Sequence, residues 1–369
     1  MIVSVFFVIV YMFSNKFKND AYGVKKYNLI FLIALFLAVF SYYWQATNQY
    51  DLFVYKDITD RFSVFTFRES LRYLTSRGEF LSMLYFYIVS FFSDRSIIPV
   101  IPVFVTYLLL FQLLITLNVS KKYSTATIFI VNFYFFSNFK YLMVMSGFRF
   151  WFAIVLFATF LYKVENEGYS EFWLFLPLLF HNSIILFLIL YFIAKFPLRR
   201  SFILIIAGFS ILVLGANLLP MFVNFPLNEQ GILVTLINKY VMYFNFNFNL
   251  SNQFLLLVFE IIIAIGTLVY LKCFDLINDT IWNRVCMLVI ILSALSFGNA
   301  DLIKRFFELG RILMLPNYYL LVNNSISFYK EKGKRKYLLP IVLLLIVGLG
   351  GVFVQIRIWQ IDIAPLIHL

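Results

Sequence analysis

Charge is scarce in this chain. Only 13% of its 369 residues are Asp, Glu, Lys or Arg, against about 25% in an ordinary soluble domain. A surface able to face water on all sides cannot be assembled from so few. That deficit excludes a soluble enzyme, a nucleic-acid binder and a disordered tail as readings of the whole chain. Cysteine is equally sparse: Cys273 and Cys286 are the only two, too few for a cysteine metal centre. Two histidines, His181 and His368, are too few for a histidine-rich one. Nothing resembles a Walker loop, which argues against an ATP-driven engine. Gly348, Gly350 and Gly351 lie inside an apolar run and predict helix packing instead.

Apolar side chains fill the space. They make up 63% of the residues, with 48 Phe and 24 Tyr among them, and the mean hydropathy is +0.90. A bilayer crossing takes about 20 apolar residues, so the length accommodates about 10–12 helices, broken or half helices included. The expectation is an all-α polytopic integral membrane protein, one transmembrane domain over residues 1–369. The net charge of +12 reads as membrane orientation and attraction to anionic lipid, with no nucleic acid as partner.

Basic clusters at 16–26, 121–122, 195–200 and 330–336 orient the spans, since short cytoplasmic loops carry the excess of Lys and Arg. Two larger external loops follow, 47–79 and 223–253, expected to cap a cavity. Within the first, residues 67–80 predict an interfacial amphipathic helix with Arg68, Arg72 and Glu79 along one face. Residues 80–92 are too few for a span. The run 172–194, interrupted by Pro177 and the His181–Asn182 pair, predicts a broken, hairpin-like element, and 312–322 predicts an inward span.

Sorted by this topology, lysines gather inside and arginines outside. The outer set is Arg61, Arg68, Arg72, Arg77, Arg95, Arg149, Arg305, Arg311 and Arg357; the inner one is Arg199, Arg200, Arg284 and Arg335. Outer positive charge works against the orientation rule, so it needs another cause. Guanidinium keeps its charge when partly desolvated and grips phosphate with two parallel hydrogen bonds. An anionic ligand on the outer face, a lipid phosphate or pyrophosphate, supplies that cause. The competing reading is that these arginines pair with outer carboxylates (Asp51, Asp57, Asp60, Glu69, Glu79, Asp301, Glu308) or snorkel to headgroups.

Ser146-Gly147-Phe148-Arg149-Phe150-Trp151-Phe152-Ala153 opens a span with a lone arginine, and Leu179-Phe180-His181-Asn182-Ser183 follows about thirty residues later. This pairing resembles the EpsG-like and Wzy-type polysaccharide polymerases, in which an Arg-Gln-x-x-Ala type motif opens one helix and a His-x-Ser type motif follows. Arg149 and Ala153 match, while Phe150 stands where Gln is commoner. Tyr50-Asp51-x-x-x-Tyr55 and Arg77-Gly78-Glu79-Phe80 look like the family's first external loop. Arg305-Phe306-Phe307-Glu308-Leu309-Gly310-Arg311, then Pro316, looks like its late arginine motif.

The resemblance implies an enzyme of the bacterial inner membrane with its active face periplasmic or external. Such an enzyme transfers a growing glycan from undecaprenyl pyrophosphate to a lipid-linked acceptor repeat unit, without cofactor, nucleotide sugar or ATP. Lipid-linked donor, lipid-linked acceptor and membrane lipid are the implied partners, with room for a chain-length regulator protein. Arg149, Arg305 and Arg311 would meet the charge developing on the pyrophosphate. Glu308 would orient its two neighbouring arginines. His181, Asp51 and Glu79 are alternative acceptors for the hydroxyl proton, His181 alternatively a donor to phosphate. Arg68 and Arg72 are candidate substrate contacts, and Tyr240 and Tyr243 candidate stacking surfaces for sugar rings. Another lipid-linked glycosyltransferase, such as an O-antigen ligase, shares the phosphate logic. A flippase for the same lipid-linked unit is the rival of a different class.

Overall fold

The structure is a computed structural model that describes residues 23–44, 50–76, 79–119, 123–222, 252–296 and 299–358. The helices run in order as α1 (Gly23–Tyr42), α2 (Asp51–Val64), α3 (Phe67–Ser76), α4 (Phe80–Val89), α5 (Val100–Val119), α6 (Thr125–Asn138), α7 (Tyr141–Ser146) and α8 (Phe148–Asn166). A 3-10 helix, Glu171–Leu179, precedes α9 (Ile184–Ala194), α10 (Leu198–Phe222), α11 (Asn252–Cys273), α12 (Ile281–Leu295), α13 (Ala300–Leu313), α14 (Leu315–Lys332) and α15 (Leu339–Ile358). Among the described residues, three stretches are long and apolar enough to cross a membrane: Arg95–Asn118, Phe254–Cys273 and Arg335–Ile358. Their outward faces are apolar too, with Phe259, Ile262, Leu349 and Phe353 exposed, the inverse of a water-facing surface. This is a helical membrane protein.

The chain forms two compact units, one of Met1–Leu188 with Tyr318–Leu369 and one of Ile189–Asn317. In the first, α1 and α8 pack on α5, and α15 packs on α6. The glycines explain the second contact. A Cβ at Gly351 would stand 2.4 Å from Asn138 Oδ1 and 2.5 Å from Ser137 O, and one at Gly348 2.9 Å from a Phe133 ring carbon. Only glycine lets the two backbones come so close. Gln355 Nε2 then donates to Ser137 O at 2.6 Å, satisfying a carbonyl at the end of α6 that has no intrahelical donor. Asn118 Nδ2 donates to the Tyr319 hydroxyl at 3.1 Å, and that hydroxyl donates to Asn132 Oδ1. These buried bonds join α5, α6 and α14 at a depth where water is no substitute partner.

In the second unit α12 packs against α10, α11 and α13. Gly310 allows the last contact, since a Cβ there would meet Ile290 Cδ1 at 3.0 Å. Asn299 caps α13 by accepting from Leu302 N at 2.9 Å.

Three expectations need correction. Among the described residues of the 47–79 region, a helix, α2, precedes the amphipathic α3, where the sequence predicts only the latter. The latter ends at Ser76, so Glu79 does not share a face with Arg68 and Arg72. It sits in a non-helical conformation at the N-cap of α4, where its side chain turns to other partners. The segment 312–322 is not one span either: the chain breaks at Met314 between α13 and α14. Pro316, which has no N–H to give, lies in the first turn of α14, where none is required. The break expected within 172–194 is present, between the 3-10 helix and α9. Of the second external loop, 223–251 lie outside the described residues, and Tyr240 and Tyr243 with them.

Two outcomes follow from these contacts. Thr66 and Glu69 form a reciprocal cap on α3: Thr66 N and Oγ1 each donate to Glu69 Oε2 at 2.8 Å, and Glu69 N donates back to Thr66 Oγ1 at 3.4 Å. The Thr66 N–H, then its hydroxyl, hold the Glu69 carboxyl below its ordinary value. A depressed value means the cap contributes above the unfolded-state pKa of about 4.3 and is lost as pH falls through the lower folded one. Intrinsic-rate-corrected amide protection over residues 67–76 should therefore fall as pH drops below about 4; Thr66→Ala, which keeps the N–H and loses the hydroxyl, should shrink that step, and Glu69→Gln should abolish it. Separately, Gly351→Ala should lower the thermal midpoint in detergent by the equivalent of about 1–3 kcal/mol. Gly266→Ala, with open space around its Cβ, should cost nothing or stabilise.

Candidate functional site

The first unit gathers residues from four separate parts of the chain around one ion pair. Arg149, in the first turn of α8, donates through Nη1 to Glu79 Oε2. The other carboxylate oxygen, Oε1, accepts from Asn182 N at 3.2 Å. Glu79 stands just before α4, where the helix dipole favours a carboxylate. Asn182 lies in the break between the 3-10 helix and α9, and Ser82 Oγ, one turn into α4, donates to Phe180 O at 2.8 Å. The broken element is thus held against α4 by two hydrogen bonds, and the sequence break becomes a wall of the site.

Beneath the guanidinium lies an aromatic floor. Arg149 Cζ sits 4.5 Å from the centre of the Tyr55 ring and 5.9 Å from that of Phe86, within range of cation–π attraction. Tyr55 packs edge-on to Phe148 at 4.9 Å and against Phe86 at 5.3 Å. Burial pushes the Tyr55 hydroxyl up to about 12, with the Arg149 charge opposing. It therefore stays protonated at neutral pH and can donate but not act as a base. Asp51 opens α2 one turn before Tyr55 and is exposed. A Cβ added at Gly147 would meet Asp51 Oδ2 at 3.6 Å, so this carboxylate stands at the corner where α8 begins.

Side-chain exposure falls to 17% for Arg149 and 12% for Glu79, low enough that charge and hydrogen bonds act with little screening. Arg149 Nε is buried and has no hydrogen-bond partner. A buried donor left unmade costs about 1–3 kcal/mol, and the Nε edge of a guanidinium belongs to the fork that grips an oxyanion. His181 borders the same site, its ring 5.3 Å from that of Phe150. Its Nδ1 accepts from Ser183 N at 3.2 Å, which puts the proton of the neutral ring on Nε2. That arrangement favours His181 as a donor over His181 as a base. The Phe150 and His181 rings meet at 69°, an edge-to-face contact.

The remaining candidates lie elsewhere. Arg68 and Arg72 are exposed on α3 and belong to no ion pair among the described residues. Arg305, half-buried on α13, and Glu308 and Arg311 on the same helix belong to the second unit. Arg311 is 2% exposed. It donates to Glu260 through Nε at 2.9 Å and Nη2 at 3.1 Å, and to Glu308 through Nη1. Its fork is filled from within the protein. Glu260 escaped the sequence reading, although a lone carboxylate inside the apolar helix α11 is itself a signal, because such a group needs a buried partner. The pairing alternative for the outer arginines holds at Arg61 with Asp57 at 2.8 Å and Arg95 with Asp60 at 2.7 Å, and at Arg149 and Arg311 as above. No family model, curated protein or solved structure matches this chain.

Proposed function

We propose that the chain is a membrane-embedded polymerase of lipid-linked oligosaccharide repeat units. The observation that carries this reading is the convergence of Asp51, Glu79, Arg149 and the His181–Asn182 break on one partly exposed spot of a helical membrane protein. A pyrophosphate oxygen accepting from Arg149 Nε would complete a donor that the fold leaves unmade, and His181 Nε2–H would be a second donor beside it. Glu79 then holds the guanidinium in place, and Asp51, the exposed carboxylate of the set, takes the proton of the attacking hydroxyl. In that step the acceptor oxygen bonds to the anomeric carbon of the donor sugar, and the bond from that carbon to the pyrophosphate breaks. The leaving lipid pyrophosphate gathers negative charge, and one preorganised cationic donor is worth about 3 kcal/mol of barrier, about a hundredfold in rate.

The same reading sets the surroundings: about 10–12 spans in a bacterial inner membrane, basic loops inside and the Arg149 site outside. A polyprenyl carrier would reach the site from the bilayer, since its apolar tail cannot leave it. The test is the ladder of chain lengths made by a deletion strain carrying variant copies. Arg149→Ala should abolish long polymer while single-repeat products and protein level persist. Arg149→Lys should recover little, because an ammonium keeps the charge but loses the fork. An unchanged ladder would remove Arg149 from the mechanism, and loss of single repeats too would point to a flippase or ligase.

A further inference from the structure

A second feature, within the unit Ile189–Asn317 and independent of the polymerase reading, is a cavity of about 560 Å³ bordered by α10, α11 and α12. Its volume falls within the range of about 300–1,000 Å³ that small-molecule sites occupy. Two chemistries divide it. Phe202, Ile265, Leu268, Val269, Met287 and Ile291 form the walls, while Lys272, Asn278, Asp279, Asn283 and Arg284 form one end. The walls lie along α11, a helix long and apolar enough to cross the membrane, with Ile265 and Val269 exposed on it. From Ile265 to Lys272 the rise is about 10 Å along the axis, so the apolar channel runs from the polar end toward the middle of the bilayer.

The polar end is built and charged. Asp279 grips Arg284 with both oxygens, Nε to Oδ1 and Nη2 to Oδ2, each at 2.6 Å. The Arg284 hydrogen bonds, first of all, hold the Asp279 carboxyl below its ordinary value. The Nη1 of Arg284 donates to Ala194 O at 3.3 Å and to Phe196 O at 3.2 Å, drawing the turn between α9 and α10 to the cavity's end. That turn brings the exposed Lys195, Arg199 and Arg200. With Asp279 committed to Arg284, Lys272 acts on it only as a charge through space, and its exposed ammonium is left to meet an incoming anion. Of the charged groups that line this end, Lys272 and Arg284 outnumber Asp279, and the turn adds further positive charge near it in the chain. Basic pockets between spanning helices recognise anionic head groups.

We propose that this cavity holds an anionic membrane phospholipid, its phosphate at Lys272 and one acyl chain along the α11–α12 wall. Arg284 is a positioning residue here, fixing the turn and Asp279 rather than touching the head group. The test is native mass spectrometry of the purified full-length protein, released from detergent micelles doped with equal amounts of phosphatidylglycerol and phosphatidylcholine. The wild type should retain phosphatidylglycerol in preference by about tenfold, the worth of one charge-assisted contact. Lys272→Gln should erase the preference while leaving the thermal midpoint unchanged, because the side chain is exposed. Met287→Trp should fill the channel and lower retention of both lipids. Excess inorganic phosphate should not displace the lipid. Equal retention of the two lipids by the wild type, a preference that survives Lys272→Gln, retention that survives Met287→Trp, or displacement by inorganic phosphate would each overturn the proposal.

Discussion

A charged side chain at membrane depth must find its partner within the protein, and the Arg149–Glu79 pair is where that constraint organises the first unit. Arg149 begins α8 and Glu79 precedes α4, so the pair ties two helices far apart in the chain. The second oxygen of Glu79 draws in Asn182 N, which fixes the broken element after the 3-10 helix. The Tyr55 and Phe86 rings beneath the guanidinium bring α2 into the same assembly. Removing either charge would leave the other partly buried and unpaired, at a cost of about 3–5 kcal/mol where burial is complete and less where water reaches the pair. Arg149 Nε is buried beside the pair without a hydrogen-bond partner, the donor of the guanidinium that the proposed anionic ligand would meet.

The second unit meets the same constraint differently. Arg311 faces two carboxylates, Glu260 and Glu308, and all three are buried. Its guanidinium donates to both of these side chains, and its Cζ lies 5.2 Å from the Phe307 ring centre. Such a cluster joins α11 to α13 and fixes how they face each other, the specifying role that buried ionic groups best support. At the far end of α11 the Asp279–Arg284 pair is exposed on its acidic side, and its role is to gather a turn rather than to hold a core.

The elements legible in advance were those with a strong local signal. Apolar runs of span length predicted α5, α11 and α15, and glycines inside an apolar run predicted helix packing, though not that α6 would be the partner. Pro177 and His181–Asn182 marked a real break. What escaped was set by contacts between distant residues. Helix α2 has mixed polarity, and its buried face, Leu52, Tyr55, Ile58 and Phe62, is covered by α4 and by the Phe148 and Tyr73 rings, all distant or separate elements. Glu79 was read along a continuing helix, yet its orientation is decided by Arg149, seventy residues away. Glu260 was hidden by the run that surrounds it. The site residues Asp51, Glu79, Arg149 and His181 were named from short motifs, but their meeting place was not derivable from spacing. The polar bonds among Asn118, Asn132 and Tyr319 carry no pattern in sequence at all.

The claim on which the account rests is that positions 79 and 149 act as one unit. A double-mutant cycle of Glu79→Ala and Arg149→Ala, read from unfolding free energies of the purified protein in detergent, measures it directly. The predicted result is a coupling of about 2 kcal/mol, each single replacement costing more than the second replacement adds once the first is made. Additive costs, within about 0.5 kcal/mol, would contradict it, because two residues that do not sense each other cannot be what holds α4, α8 and the broken element together.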